Sequence, residues 1–411
     1  MEKLLTMSPK EREKLKLMHN LEHGKISRSA AAEVLGLSER HVYRLYARYR
    51  KDGDEGVIHG LRGTHSNRAY PLKVRSAALE YFAKHYSDYG PTLFSETLEK
   101  EHGISVASET LRRWLLAKKL WTLHRKSRRH RKHRERRSEI GSLVQFDGSE
   151  HDWFEERAPR CTLLVAIDDA SSRVMLRFAE SESTHSVLSF WIDYVQRHGI
   201  PKEIYTDFGS VYYNSNNPEH LTDFGLAMKS LGVKLTYAHS PQAKGRVERS
   251  NRTLQDRLLK ALRRENISCI TQANEYLDRE FNDEHNNRFA HPDHLEDLHR
   301  PCVFSQVELR NIFCFSTTRS VYNDATITLD AQWIQLERSK APLPPPRSHV
   351  TLRRWLDGSL HIFWHNDELG FTLLKKKPLY KPKPALRAYQ EHPWRAKTKL
   401  FGSARVRAKL R

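Results

Sequence analysis

Leu143-Val144-Gln145-Phe146-Asp147-Gly148-Ser149-Glu150-His151-Asp152-Trp153 reads as a short strand ending in a carboxylate and a glycine. Just downstream, Cys161-Thr-Leu-Leu-Val-Ala-Ile-Asp168-Asp169 has the β-branched and aliphatic content of a buried strand. Arg173-Val-Met-Leu-Arg-Phe178 supplies a third strand and closes an antiparallel meander. Thr184–His198 then turns helical, with Val187, Trp191, Tyr194 and Val195 along one apolar stripe. A further strand, Glu203-Ile-Tyr-Thr206, delivers Asp207, which is followed by Phe208 and Gly209. Past another helix and the strand Lys234–Tyr237 lies Ser240-Pro-Gln-Ala-Lys-Gly-Arg-Val-Glu248-Arg-Ser-Asn251.

Strands ending in aspartate, followed by a glutamate on a late helix, are what two-metal phosphoryl chemistry needs. Mg²⁺ is a hard cation that takes oxygen ligands and binds through a few carboxylates together with substrate phosphate. Two such ions about 3.5–4 Å apart can activate an attacking oxygen and stabilise a leaving one. The carboxylates must come from separate elements and converge, and Asp147, Asp207 and Glu248 are far apart in the chain. Other acids compete. Asp152, Glu155 and Glu156 follow the first strand, and the residues alone do not separate them from Asp147. Asp168 and Asp169, before Ala-Ser-Ser, suit an Asx-type turn. For Glu248 taken alone an ordinary intrahelical salt bridge is the favoured reading, and only the preceding Ser240-Pro-Gln-Ala-Lys-Gly245 loop turns it toward a site role. Yet on a helix whose stripe is Val247, Leu254, Leu258 and Ala261 it falls at the stripe's edge, so helical phase predicts a half-shielded side chain. Lys244 and Arg252, at i−4 and i+4, flank it and could contact DNA phosphates.

The stretches Gln145-Phe-Asp-Gly-Ser149, His151-Asp-Trp-Phe154, Cys161–Val165, Ile167-Asp-Asp-Ala-Ser171, Tyr205-Thr-Asp-Phe-Gly209 and Ser240–Arg249 together carry a resemblance. The region resembles the integrase core of DDE transposases, an RNase H-like fold, and is most similar to bacterial insertion-sequence transposases of the ISNCY type. Related cores often have Asn and Gly after the second aspartate, where this chain has Phe208 and Gly209. The resemblance selects Asp147 over its neighbours. It implies that Asp147, Asp207 and Glu248 hold two Mg²⁺ (or Mn²⁺) ions and catalyse nicking at element ends and strand transfer. It also implies a homo-oligomer on paired DNA ends. A structure-selective nuclease of the same fold and a catalytically silent DNA-binding regulator are the rival readings.

The rest of the chain suits a DNA enzyme. With 411 residues it holds three or four domains, and its net charge of +20 points to a polyanionic partner, most commonly nucleic acid. Cys161, Cys269, Cys302 and Cys314 are dispersed without a Cys-x-x-Cys pair, which suggests neither a disulfide framework nor a zinc knuckle. The first 25 residues lack a signal-peptide apolar core, and no run approaches transmembrane length. The expected setting is the bacterial cytoplasm, with the protein nucleoid-associated through DNA.

At the N-terminus, Pro9–His23, Ala30–Leu35 (with Ser29 as its cap) and a helix from Ser38 to about Lys51 read as a helix–turn–helix unit. Val42, Leu45, Tyr46 and Tyr49 face inward, while Arg40, Tyr43, Arg44 and Arg48 are set to meet a major groove. The alternative is a plain helical bundle with a solvated basic face. After a hinge around Gly53–Gly63 a similar unit follows: Leu72–His85, Leu93–Glu101, a Gly103-Ile-Ser turn, and Ser108–Lys119 exposing Arg112 and Arg113. Between His124 and Arg137 nine Lys/Arg stand against one Glu, and Arg128, Arg129 and Arg131 are candidate phosphate contacts. Beyond the core, Val321–Asp330, His349–Trp355 and His361–Trp364 alternate like strands of a small β-barrel, with Asp357-Gly358 as a hairpin turn.

The expected fold class is therefore multidomain α+β. Residues 1–63 and 64–123 would be helix–turn–helix units and 124–138 a basic linker. Residues 139–290 would form the RNase H-like mixed-sheet core, 291–374 a C-terminal barrel and 375–411 a basic tail.

Overall fold

The computed structural model describes residues 5–62, 69–123, 135–238, 245–292, 294–338 and 342–375. The chain divides into two compact units, Met1–Lys126 and Ser127–Arg411.

In the first unit α1 (Pro9–Glu22), α2 (Arg28–Leu35) and α3 (Glu39–Asp52) start at serines. Ser8 forms a capping box with Glu11, Ser27 rather than Ser29 caps α2, and Ser38 caps α3. Gly36 ends α2 in the left-handed region at φ 61°, which favours glycine, and so turns the chain into α3. Met18, Ala31, Val42 and Leu45 fill the small core. The segment expected to begin a hinge is packed instead. Gly53–Val57 forms a 3₁₀ turn against α3. A Cβ on Gly56 would lie 2.5 Å from the Arg48 carbonyl oxygen, so only glycine allows that approach. Helices α4 (Leu72–His85), α5 (Pro91–His102) and α6 (Ser108–Ala117) surround a separate cluster built on Phe82, Phe94, Leu98, Leu111 and Leu115. Gly103 closes α5 at φ 65°, in the same conformation as Gly36.

The second unit is built on a five-stranded sheet of β1 (Val144–His151), β2 (Cys161–Asp168), β3 (Val174–Ala179), β4 (Glu203–Thr206) and β5 (Lys234–Tyr237). Their order is β3-β2-β1-β4-β5. The first three strands pair antiparallel, and β4 and β5 join β1 in parallel. Parallel neighbours need crossover connections, which α7 (Thr184–His198) and α8 (Asp223–Ser230) supply. This is the RNase H-like topology.

Both faces of the sheet are covered, so all eight residues of β2 are buried and the strand reads as one apolar run. Leu164 and Ala166 join a cluster with Phe146, Phe190, Trp191 and Phe224. Leu163, Val165 and Ile167 join the opposite one, with Trp153 from the loop after β1 and with Leu254, Leu258 and Tyr276 from α9 (Gly245–Arg264) and α10 (Ile270–Tyr276). A π-turn, Leu277–Phe281, carries the helix on into α11 (Asn282–Phe289). Leu309 and Phe313, from and just beyond α12 (Gln306–Ile312), also pack into the Phe146 cluster.

The edge of β3 is closed by side chains. The Asn286 amide accepts from Val174 N (2.7 Å) and donates to Val174 O (2.9 Å). Asn274 does the same for Phe178 at 2.7 and 3.0 Å. Two asparagines thus stand in for a sixth strand and satisfy groups that would invite another chain. Asn286→Ala should cost about 1–2 kcal/mol, because it orphans both groups of Val174. A denaturation midpoint unchanged from wild type would show that water replaces the amide at no cost.

At the C-terminus β6 (Phe315–Ser320), β7 (Thr326–Leu329), β8 (Gln332–Glu337), β9 (His349–Arg354), β10 (Leu360–Trp364) and β11 (Asp367–Leu374) form an antiparallel sheet. Their order is β6-β9-β10-β11-β8-β7, and β6 also approaches β7, so the sheet is a nearly closed barrel. Ile327, Ile334, Leu352, Ile362 and Leu369 fill it. The β9–β10 hairpin turns at Asp357-Gly358, with Gly358 at φ 86°.

Candidate active site

The first strand does not end at its carboxylate. It pairs with β2 as far as His151↔Cys161, which leaves Asp147 in mid-strand opposite Val165. Alternation fixes which way Asp147 points. Val144 and Phe146 enter the Phe190–Trp191 core. Gln145, Asp147 and Ser149 therefore face the α9 side. The parallel register aligns Val144 with Ile204 and Gln145 with Tyr205. Continued two residues further, it brings Asp207, just past the end of β4, beside Asp147. Neighbouring strands lie about 4.8 Å apart, so the two carboxylates fall side by side on adjacent strands in the middle of the sheet.

Helix α9 runs along β1 on that side. The Asn251 amide donates to Asp147 Oδ2 at 3.3 Å, and Gln255 to Ser149 Oγ at 3.4 Å. At the helix start, Arg246 pairs with Asp169 Oδ1 at 3.2 Å and donates to the Asp169 carbonyl at 2.9 Å. Asp169 also accepts from Gln145 Nε2 at 2.7 Å and Arg137 N at 3.0 Å. Glu248 thus lies between two anchors, one of them on Asp147. It is exposed, where helical phase predicted a half-shielded side chain. The apolar stripe sinks Val247 completely and leaves the next residue outward. Arg252 is exposed one turn further on, and Lys244 lies outside the described residues.

Three more side chains belong here and were not legible beforehand. Gly209 N donates to Asp207 Oδ1 at 2.8 Å, which fixes that carboxylate. The Tyr212 hydroxyl donates to Glu182, whose carboxylate fills the space where a Cβ on Gly148 would stand. Burial, then the charges of Glu182, Asp207 and Asp147, push the Tyr212 hydroxyl well above its ordinary pKa. Tyr212 therefore stays a neutral donor among acids. Asn251 has a buried Oδ1 that meets no hydrogen-bond donor among the described residues. Its one signal in the sequence is its place one turn after Glu248.

Three of the competing acids, Asp168, Asp169 and Glu155, have other work. Asp168 Oδ1 accepts from Ser171 N and Oγ, both at 2.7 Å, as an Asx turn does. Glu155 pairs with Arg263. The donor set of Asp147, Asp207 and Glu248 is all oxygen and suits a hard divalent cation. Among the described residues, no three or more His, Cys, Asp or Glu side chains are gathered closely enough to hold a metal ion.

On the first unit, Arg40, Tyr43, Arg44 and Arg48 all lie exposed on α3, opposite the buried Val42, Leu45 and Tyr49. On α6, Arg112 and Arg113 both pair with Glu109, at 2.6 and 3.0 Å, and Arg112 is half-buried rather than exposed. Arg128, Arg129 and Arg131 lie outside the described residues. Arg44→Ala is expected to cost about 1–3 kcal/mol on one specific DNA and little on random DNA, if its guanidinium reads a base. Equal losses on both, measured by equilibrium binding, would reduce α3 to a backbone contact.

Comparison with known proteins agrees with this architecture. Residues 8–58 match a family described as a homeodomain-like domain. A Sinorhizobium fredii protein named as a transposase is 37% identical over 379 residues, 91% of this chain and 83% of the relative. The transposase for insertion sequence IS1202 of Streptococcus pneumoniae is 30% identical over 65% of this chain and 66% of its own length. The simian T-cell lymphotropic virus intasome, solved in complex with PP2A regulatory subunit B56 gamma, is 17% identical. It covers 73% of this chain and 99% of that one, at a TM-score of 0.33, too loose to add to the topology itself. Among the described residues, no helix is long and apolar enough to cross a membrane. The chain belongs to the transposases of bacterial insertion sequences.

Proposed function

We propose that this transposase nicks the ends of its element and joins them to target DNA through Asp147, Asp207 and Glu248. The observation that carries the reading is the β1–β4 register, which sets Asp147 beside Asp207 under a helix bearing Glu248. Two Mg²⁺ or Mn²⁺ ions held by these three carboxylates would activate the attacking oxygen and stabilise the leaving one.

The protein's own residues orient the reaction. Asn251 and the Gly209 amide hold Asp147 and Asp207 in place. Arg252 offers its charge to the phosphates of the bound strand, and Lys244 would flank it. Hydrolysis leaves a 3′-hydroxyl on the element. That hydroxyl would then attack a target phosphodiester in line, forming a new P–O bond as the target's P–O3′ bond breaks and its 3′-oxygen leaves as a hydroxyl, without a covalent protein–DNA intermediate, so catalysis is positioning and charge neutralisation.

The helix–turn–helix units, residues 1–63 and 64–123, would read the terminal repeats. The basic run 124–138 would track the backbone into the core, residues 139–290, and the barrel of 291–374 would follow, with the basic tail of 375–411. Two or more copies would pair the two ends, on nucleoid DNA in the cytoplasm. The test is incubation of the protein with Mg²⁺, labelled element ends and a supercoiled plasmid. Joined product supports the reading. Cutting without joining would mark a nuclease, and binding without cutting a regulator.

A further inference from the structure

Beside the carboxylate face, α9 presents a second surface. Arg246, Arg249, Ser250 and Thr253 follow one another at helical spacing and line a cleft of about 170 Å³. Arg136, arriving from the end of the Arg-rich run, and Ser172, from the turn after β2, complete its rim. Three guanidinium groups and three hydroxyl side chains converge there, and no carboxylate appears among its described lining residues. Arg246 is partly neutralised by Asp169 behind it. Arg136 is held in place by donating to Ser172 Oγ at 2.8 Å and Ala170 O at 3.1 Å. Arg249 is exposed.

The floor is His285 and Phe289, their rings 4.7 Å apart, and it carries no charge of its own at neutral pH. Burial, and then the charge of Arg257, pushes His285 down to about 4. An uncharged, partly apolar floor lowers the local dielectric and strengthens any attraction between the arginines and an anion.

We infer that this cleft binds a backbone phosphate of DNA lying along α9, on the flank of the helix turned away from Glu248. Arg249 directly follows Glu248 but points about 100° further round the helix, toward the cleft. The cleft also continues the positive charge of the run that ends at Arg137. A phosphodiester accepts from several donors at once, and the fork geometry of guanidinium suits it. The identity of the strand rests on the transposase reading, whereas the contact itself can be measured without catalysis.

The experiment is equilibrium binding of the full chain to a short element-end duplex and to a random duplex, in EDTA, across a salt series. Arg136→Gln/Arg249→Gln is compared with wild type. Each lost phosphate contact should flatten the log–log salt slope by about 0.9. Between about 50 and 200 mM salt the double variant should therefore lose roughly three- to fourfold less affinity than wild type does. The effect should be equal on both duplexes, with thermal melting unchanged, and Arg136→Lys/Arg249→Lys should restore the slope. A slope identical to wild type, whatever the affinity, overturns the inference. Joining by wild type with an unchanged slope in the variant would refute the cleft alone. A flattened slope in a protein that never joins ends would keep the cleft and refute the transposition chemistry.

Discussion

Asp147→Asn, Asp207→Asn and Glu248→Gln should each reduce nicking and joining by about 10³-fold or more, while binding to element-end DNA stays near wild type. Each substitution keeps the side chain's shape and removes the charge that would hold a hard cation. The structure makes the three inequivalent in instructive ways. Asp147 is held by Asn251 and Asp207 by the Gly209 amide, so an amide at either position also disturbs a hydrogen bond. Glu248 is exposed, so Glu248→Gln should leave folding untouched and give the cleanest separation of binding from chemistry. Asp152→Asn serves as the control and should keep activity. Joining at wild-type level by any of the three variants would remove that residue from the site. An inactive Asp152→Asn beside an active Asp147→Asn would move the site to the loop after β1.

The largest effect on stability should come from Asp169→Ala. The Asp169 side chain is 0% exposed and that of Arg246 16%, so their ion pair is largely removed from solvent. Deleting one partner of such a pair leaves the other as an uncompensated buried charge, at a cost of about 3–5 kcal/mol. Gln145 and the Arg137 amide lose their acceptor as well. Asp169→Asn keeps an oxygen acceptor and should cost less. Chemical denaturation of the two variants measures the difference. A loss below about 1 kcal/mol for Asp169→Ala would mean that water reaches Arg246 and that the pair does not anchor α9.

Much of the catalytic unit was legible because its strands announce themselves. The unbroken apolar run Cys161–Ile167 marks a strand covered on both faces, and the stripe of Thr184–His198 marks the crossover helix. What local pattern could not reveal was pairing. Nothing near Asp147 says that β1 continues to His151, since that follows from its register with Cys161 far downstream. Asp169 looked like half of a turn. Asp168 takes the turn, and Asp169, one residue later and on the other side of the chain, is buried against Arg246.

Glu248 was placed on the right helix, but its exposure depends on how deeply Val247 sinks, which periodicity alone does not fix. In the barrel, β6 reads Phe-Ser-Thr-Thr-Arg-Ser and β11 begins Asp-Glu-Leu-Gly. Neither alternates cleanly; β11 is a strand because β10 and β8 hold it on both sides, and β6 because β9 pairs along its whole length. Glu182 and Tyr212 meet only through the fold, so no spacing could have paired them.

The central claim is that Asp147 and Asp207 face one another across neighbouring strands to hold the reaction's cations. Its most direct test replaces Asp207 with cysteine and measures joining of labelled element ends in Mg²⁺ and in Mn²⁺. A thiolate is a soft ligand, poor for Mg²⁺ and better for Mn²⁺. If the Asp207 side chain contacts a catalytic ion, Asp207→Cys should be inactive in Mg²⁺ and regain joining in Mn²⁺, while wild type works in both. Equal activity of Asp207→Cys in the two metals, whether full or absent, would contradict the assignment.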